Sequence, residues 1–66
     1  MANYYVNNKQ QENGDHEVHK SGCDYFPKDY KYLGNFSDCE DAVKEAEKEY
    51  DQVNGCYYCS NDCHTQ

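Results

Sequence analysis

The sequence predicts an α+β domain: a small antiparallel sheet of two or three strands and one helix, held together by a metal ion. Three observations predict it. Short Tyr- and Val-containing runs with turn signals fill the first half, a capped amphipathic helix spans 37–50, and paired His and Cys side chains flank that helix. We expect residues 1–66 to form a single small domain, with 64–66 disordered.

The supply of apolar side chains is small for a folded domain. The chain has 66 residues, no Trp and no Ile, and Leu33 is its one leucine. A chain of this length buries only about 60% of its unfolded surface, so its core alone contributes little net stability. Domains of this size are commonly stabilised by a metal or by disulfides, and the five cysteines could form either.

The charge balance limits the kinds of partner that the chain is expected to bind. The formal net charge is −7, and Lys is the only cation because there is no Arg. Nucleic acids and anionic membranes attract basic surfaces, so we expect neither as a partner. The start has no signal-peptide pattern, and no run is apolar enough to span a bilayer, which favours the cytoplasm. There, cysteine clusters bind metal more often than they form disulfides.

The first half predicts two strands and a third extended piece. Residues 3–8, "NYYVNN", and 16–20, "HEVHK", flank Asn13-Gly14, a strong hairpin signal. Period-two alternation in "HEVHK" places His16 and Val18 on one face and Glu17 and His19 on the other. A loop with Gly and Pro follows at 21–30, and "KYLGNF" at 31–36 is the third piece.

The helix has the clearest signal. Ser37 followed by Glu40 forms a capping box, and the first turn is acidic, as the helix dipole favours. Apolar side chains recur at helical spacing from Cys39 to Tyr50 and form one stripe. Asn54-Gly55 then predicts a turn that leads into the terminal cysteines.

Two pairs of potential metal ligands flank this helix. His19 and Cys23 have H-x3-C spacing, and Cys56 and Cys59 have C-x2-C spacing. Structural zinc takes four N or S ligands in a tetrahedron, commonly from two such pairs. One ion bound by both pairs would close a long loop and stabilise the fold by on the order of 10 kcal/mol.

The order "HKSGC … YLGNFSDCEDAVKEA … GCYYC" resembles the Ada-type zinc-binding domain and also small bacterial proteins of unknown function. The resemblance spans 19–59 and implies one structural Zn²⁺ held by His19, Cys23, Cys56 and Cys59. The Ada-type pattern usually has Arg-Pro before its C-x2-C pair. Here Asn54-Gly55 stands there and the chain has no Arg, so the resemblance does not imply DNA binding.

The other cysteines leave alternatives open. Cys39 lies on the apolar helix stripe, and we favour a buried thiol over a Cys39–Cys63 disulfide. Cys63 and His64 are alternative metal ligands. A disulfide-stabilised protein without metal is the first rival interpretation. A thiol redox protein using the C-x2-C pair is the second, although such a pair needs a helix N-terminus after it.

Tyr57 and Tyr58, inside the C-x2-C pair, are candidates for a partner contact, because Tyr is enriched at interfaces. The alternative, which we favour, is that the tyrosines outside the helix cover the small core and shield the metal. An acidic, Tyr-rich surface suits a basic protein or peptide. We therefore predict a monomeric, non-enzymatic zinc-binding module that contacts such a partner.

Overall fold

The computed structural model describes residues 1–65 and shows a four-stranded mixed sheet with one helix. The elements are β1 (Ala2–Asn7), β2 (His16–Lys20), β3 (Tyr30–Phe36), α1 (Cys39–Ala46), β4 (Val53–Gly55) and a short 3-10 turn, Asn61–Cys63. The strand order is β3-β1-β2-β4. The α+β class is confirmed, but the sheet has one strand more than expected, and that strand runs parallel to β2.

The β1–β2 hairpin follows the predicted turn signal. Gly14 has φ +93°, a conformation that L side chains rarely adopt. The turn is closed by a hydrogen bond from Gly14 N–H to Gln11 O at 2.8 Å. β1 also pairs antiparallel with β3, with a register shift after Tyr4, so β1 is a central strand of the sheet.

One face of the sheet carries the core, and α1 covers it. The buried side chains that form this core are Tyr4, Val6, Val18, Cys39, Ala42 and Ala46. His16, on the same face as Val18, stacks on Tyr50 with ring centroids 3.8 Å apart. The predicted alternation of β2 is confirmed. His19 therefore lies on the face opposite the helix, where its ring packs beside Phe26.

The helix begins one residue later than the sequence predicts. Asp38, not Ser37, is the N-cap, and its Oδ1 accepts a hydrogen bond from Asp41 N–H at 3.2 Å. An Asp side chain caps as well as Ser does, so the two candidates could not be separated by residue type. Regular α-helix ends at Ala46, although Tyr50 N–H still donates to Ala46 O.

The turn predicted at Asn54-Gly55 is part of β4. This strand pairs with β2 in the register His16↔Val53 to Val18↔Gly55. The Asn54 side chain accepts from Gly55 N–H and from Thr65 N–H, at 2.9 and 2.8 Å. Thr65 is thus tied to the sheet edge. The predicted disorder of 64–66 also covers Gln66, which lies outside the described residues.

The 55–63 segment is packed closely. A Cβ added at Gly55 would lie 2.6 Å from Ser60 O and 2.8 Å from Cys63 Cβ, so no larger residue fits there without a shift. Within residues 1–65, no helix has the length and apolar character needed to cross a bilayer.

Candidate metal centre

Four side chains from the two predicted half-sites converge on one point. The ligand atoms of His19, Cys23, Cys56 and Cys59 all lie within 4.8 Å of one another. His19 Nδ1 is 3.6 Å from Cys23 Sγ and 3.8 Å from Cys59 Sγ, and Cys23 Sγ is 3.9 Å from Cys56 Sγ. This group could hold one metal ion.

The parallel pairing of β2 and β4 brings the half-sites together. Cys56 directly follows β4, and its N–H donates to Val18 O at 2.9 Å, which places it beside His19. Each pair is then closed by a local turn, with Cys23 N–H donating to Lys20 O and Ser60 N–H to Cys56 O. The strand that the sequence did not predict is therefore the element that aligns the site.

Backbone amides point at two of the sulfurs. Lys20 N–H donates to Cys59 Sγ at 3.3 Å, and Tyr25 N–H donates to Cys23 Sγ at 3.4 Å. A hydrogen bond to a sulfur favours its anionic form, which is the form that binds metal. Each half-site thus has one sulfur that accepts a hydrogen bond from a backbone amide.

The two ring nitrogens of His19 have different surroundings. The residue is 1% exposed, and its Nδ1 faces the sulfurs. Its Nε2 lies 3.4 Å from Glu17 Oε1 but forms no hydrogen bond among the described residues. Metal-binding imidazoles commonly donate the other ring N–H to a carboxylate, and Glu17 is a carboxylate close to that nitrogen. Burial lowers the pKa of His19, which favours the neutral, metal-binding imidazole.

Burial affects the thiols of the C-x2-C pair. Burial raises the pKa of the Cys56 thiol, and it raises the pKa of Cys59 to about 12. Catalytic redox cysteines have lowered thiol pKa values, because the thiolate is the nucleophile. Without a bound cation, burial therefore favours the protonated form of both thiols.

Aromatic rings cover the site and link its halves. Tyr25, two residues after Cys23, stacks on Tyr58 with ring centroids 4.0 Å apart. Phe26 packs beside the His19 ring on the sheet face. Tyr57 and Tyr58 are 56% and 63% exposed, so this cover also presents a surface to solvent.

The remaining candidates lie elsewhere. Cys39 and Cys63 form a disulfide, so the expectation of a free buried thiol at Cys39 was wrong. The 3-10 turn carries Cys63 to the N-terminal end of α1, a juxtaposition that spacing along the chain does not reveal. His64 Nδ1 lies 2.9 Å from Gly55 O, and its ring packs against Tyr57. Neither Cys63 nor His64 belongs to the group of converging ligands.

Glu17 is the site residue that the sequence reasoning missed. The signal was present, because strand alternation already placed Glu17 and His19 on the same face, two residues apart. The amides of Lys20 and Tyr25 could not have been found this way, since they depend on the fold of the turns.

Comparison with known proteins gives no matching family model, no similar curated protein and no similar solved structure. The Ada-type layout thus stays a resemblance in ligand order.

Proposed function

We propose that this chain is a small zinc-binding interaction module in which the ion is structural and no reaction is catalysed. The observation that carries the proposal is the convergence of four ligand atoms from two distant parts of the chain within 4.8 Å. One ion there would join the end of β2 to the segment after β4. It would supply the cohesion that a core of a few small side chains lacks.

The donor set favours zinc. Three thiols and one imidazole are soft and borderline ligands, the combination found in Cys₃His structural zinc sites. Four protein ligands complete a tetrahedron and leave no position for substrate or activated water, which is why we propose a structural role. The Ada-type resemblance supports the same ligand set.

The disulfide supports a second candidate, a disulfide-stabilised protein without metal. Cys39–Cys63 links α1 to the chain end across 24 residues. It leaves Cys23, Cys56 and Cys59 free, an odd number that cannot pair completely within one chain. One disulfide and one metal centre together use all five cysteines, so we favour both features in one molecule.

The compartment is a separate question from the metal. Disulfides persist mainly in oxidising compartments, so the Cys39–Cys63 bond weighs against the cytoplasmic assignment, which stays a prediction. Zinc protects thiolates from oxidation in either setting, because the sulfur lone pairs are engaged by the ion.

The test is a comparison of two cysteine variants. Cys56→Ser removes a ligand, and we expect loss of the bound ion and of the near-UV circular dichroism of the packed tyrosines. The control, Cys39→Ser/Cys63→Ser, removes the disulfide and should keep the ion while losing about 3 kcal/mol of unfolding free energy. A Cys56→Ser chain with the native spectrum would contradict a structural ion.

A further inference from the structure

An open cleft lies between the start of α1 and the chain after the C-x2-C pair. Its volume is about 550 Å³, and its lining residues include three acidic ones, Asp38, Glu40 and Asp62, and one basic one, Lys20. Cys59 and the Cys39–Cys63 disulfide also line it. The cleft is therefore acidic, and it is bounded by the disulfide and by one cysteine of the proposed metal site.

Ser60 gives this cleft an unmatched polar group. The residue lines the cleft and is only 4% exposed. Its Oγ is buried and has no hydrogen-bond partner among the described residues. Buried hydroxyls are normally paired, so a ligand for which the cleft wall shifts at Ser60 would gain a hydrogen bond there.

We propose that this cleft binds a basic segment of a partner protein, with a Lys or Arg side chain entering among the three carboxylates. The site rests on the proposed function, because the bound ion would hold Cys59 and Tyr58 in the cleft wall. Tyr58 is stacked on Tyr25, which fixes its ring as a surface for the incoming cation.

Charge selects this occupant over others. A nucleic acid or a phosphopeptide would meet three carboxylates in the cleft and a chain of net charge −7. A second copy of the chain carries the same charge and would be repelled. A cationic peptide is attracted both by the acidic residues of the cleft and by the net negative charge of the chain. Arg can also pair with a carboxylate in bidentate fashion.

The probe is capped tri-arginine, titrated at low ionic strength into the zinc-loaded full chain and followed by amide shifts in ¹⁵N-edited NMR spectra. We expect saturable shifts confined to the residues that line the cleft. Capped tri-glutamate should cause none. Shifts of equal size with calcium chloride alone would show a simple cation cluster and overturn the proposal.

A matched pair of variants separates the cleft from the overall charge. Glu40→Gln/Asp62→Asn removes two carboxylates from the cleft, whereas Glu47→Gln/Asp51→Asn removes two exposed ones outside it. Both bring the net charge from −7 to −5, since −7 + 2 = −5. We expect the cleft pair to weaken binding about fivefold or more and the control pair less than about twofold. Equal loss in both would overturn the site.

Zinc content is measured in every sample. Bound zinc with no peptide binding would overturn the cleft while leaving the proposed function in place. A chain without zinc that binds the peptide would contradict the proposed function and the dependence of the cleft on it.

Discussion

At the scale of single residues, Glu17 is the carboxylate that lies beside the outer ring nitrogen of His19. Nδ1 faces the sulfurs, and Nε2 lies 3.4 Å from the Glu17 carboxylate in a position 1% exposed to solvent. Nε2 forms no hydrogen bond among the described residues, and a buried ring N–H without a partner costs free energy. A nearby carboxylate favours the tautomer with its proton on Nε2, because a small shift of Glu17 would let it accept that proton's hydrogen bond. That tautomer leaves the Nδ1 lone pair free for a metal.

Removal of the carboxylate should weaken metal binding without removing a ligand. We expect Glu17→Ala to lower zinc affinity by about 10- to 100-fold in competition with a chromophoric chelator. Glu17→Gln, which keeps an oxygen near Nε2 but no charge, should fall between Glu17→Ala and the native chain. The control is Glu12→Ala, an exposed position on the β1–β2 connection. Equal affinity in all four proteins would show that Glu17 does not orient His19.

At the scale of elements, the start of α1 fixes the position of the disulfide, and the pairing of β4 fixes the position of the C-x2-C pair. The Asp38 cap places Cys39 in the first helical position, where it meets Cys63. β4 places Cys56 beside the end of β2. Small shifts at either boundary would move a sulfur out of reach.

The cap offers a direct comparison between two neighbouring residues. Asp38→Ala removes the acceptor of the Asp41 N–H bond and should cost about 1 kcal/mol of unfolding free energy in urea denaturation. Ser37→Ala, at an exposed position with no capping bond, should stay within about 0.5 kcal/mol. The opposite ranking would restore Ser37 as the cap.

The sequence predicts well the elements whose signals are local. Alternation in "HEVHK", the Asn13-Gly14 turn and the helical stripe all depend on neighbouring residues, and the structure confirms them. β4 could not be predicted in this way. Its three residues include Asn and Gly, which are poor strand formers, and they are extended because β2 supplies the hydrogen bonds.

The same distinction holds for the site. The two ligand pairs could be recognised because each is a short local spacing, and the structure brings both pairs together. The Cys39–Cys63 bond depends on where the last turn of the chain packs, which is a long-range outcome. Spacing along the sequence favoured the wrong interpretation for Cys39 because its place on the apolar stripe suits a buried thiol equally well.

At the scale of the whole molecule, the core is thin. Its largest fully buried aliphatic side chains are Val6 and Val18, and the partly buried side chains packed against it include Leu33, Phe36 and Val53. The disulfide links Cys63 to α1, and an ion bound by the converging ligands, as we propose, would join β2 to the segment after β4. Loss of either link leaves little apolar contact to replace it.

The ligand thiols give the metal centre a defined pH dependence. Burial raises the pKa of Cys56 and, to about 12, that of Cys59, so at neutral pH both are protonated in the metal-free chain. Zinc must displace these protons, and its apparent affinity should rise with pH, by up to about tenfold per unit for each thiol between pH 6 and 8. Calorimetry in buffers of different ionisation enthalpy measures the protons released.

The stability of the metal-free chain should change with pH in the opposite direction, falling as the pH rises. A thiol pKa that is raised on folding adds stability below the unfolded value of about 8.5, and this stability is lost as the pH rises through the folded value. With chelator present, the free energy of unfolding should therefore fall above about pH 8.5. A rise in that range would contradict the burial of protonated thiols.

Native mass spectrometry of the freshly purified chain tests the central claim most directly. One ion, held by ligands from both halves of the chain, should appear as a mass excess of a single zinc on a polypeptide that is two hydrogens lighter than the fully reduced form. Chelator should remove the zinc and leave the disulfide. A metal-free chain four hydrogens lighter, with a second disulfide among Cys23, Cys56 and Cys59, would contradict the account.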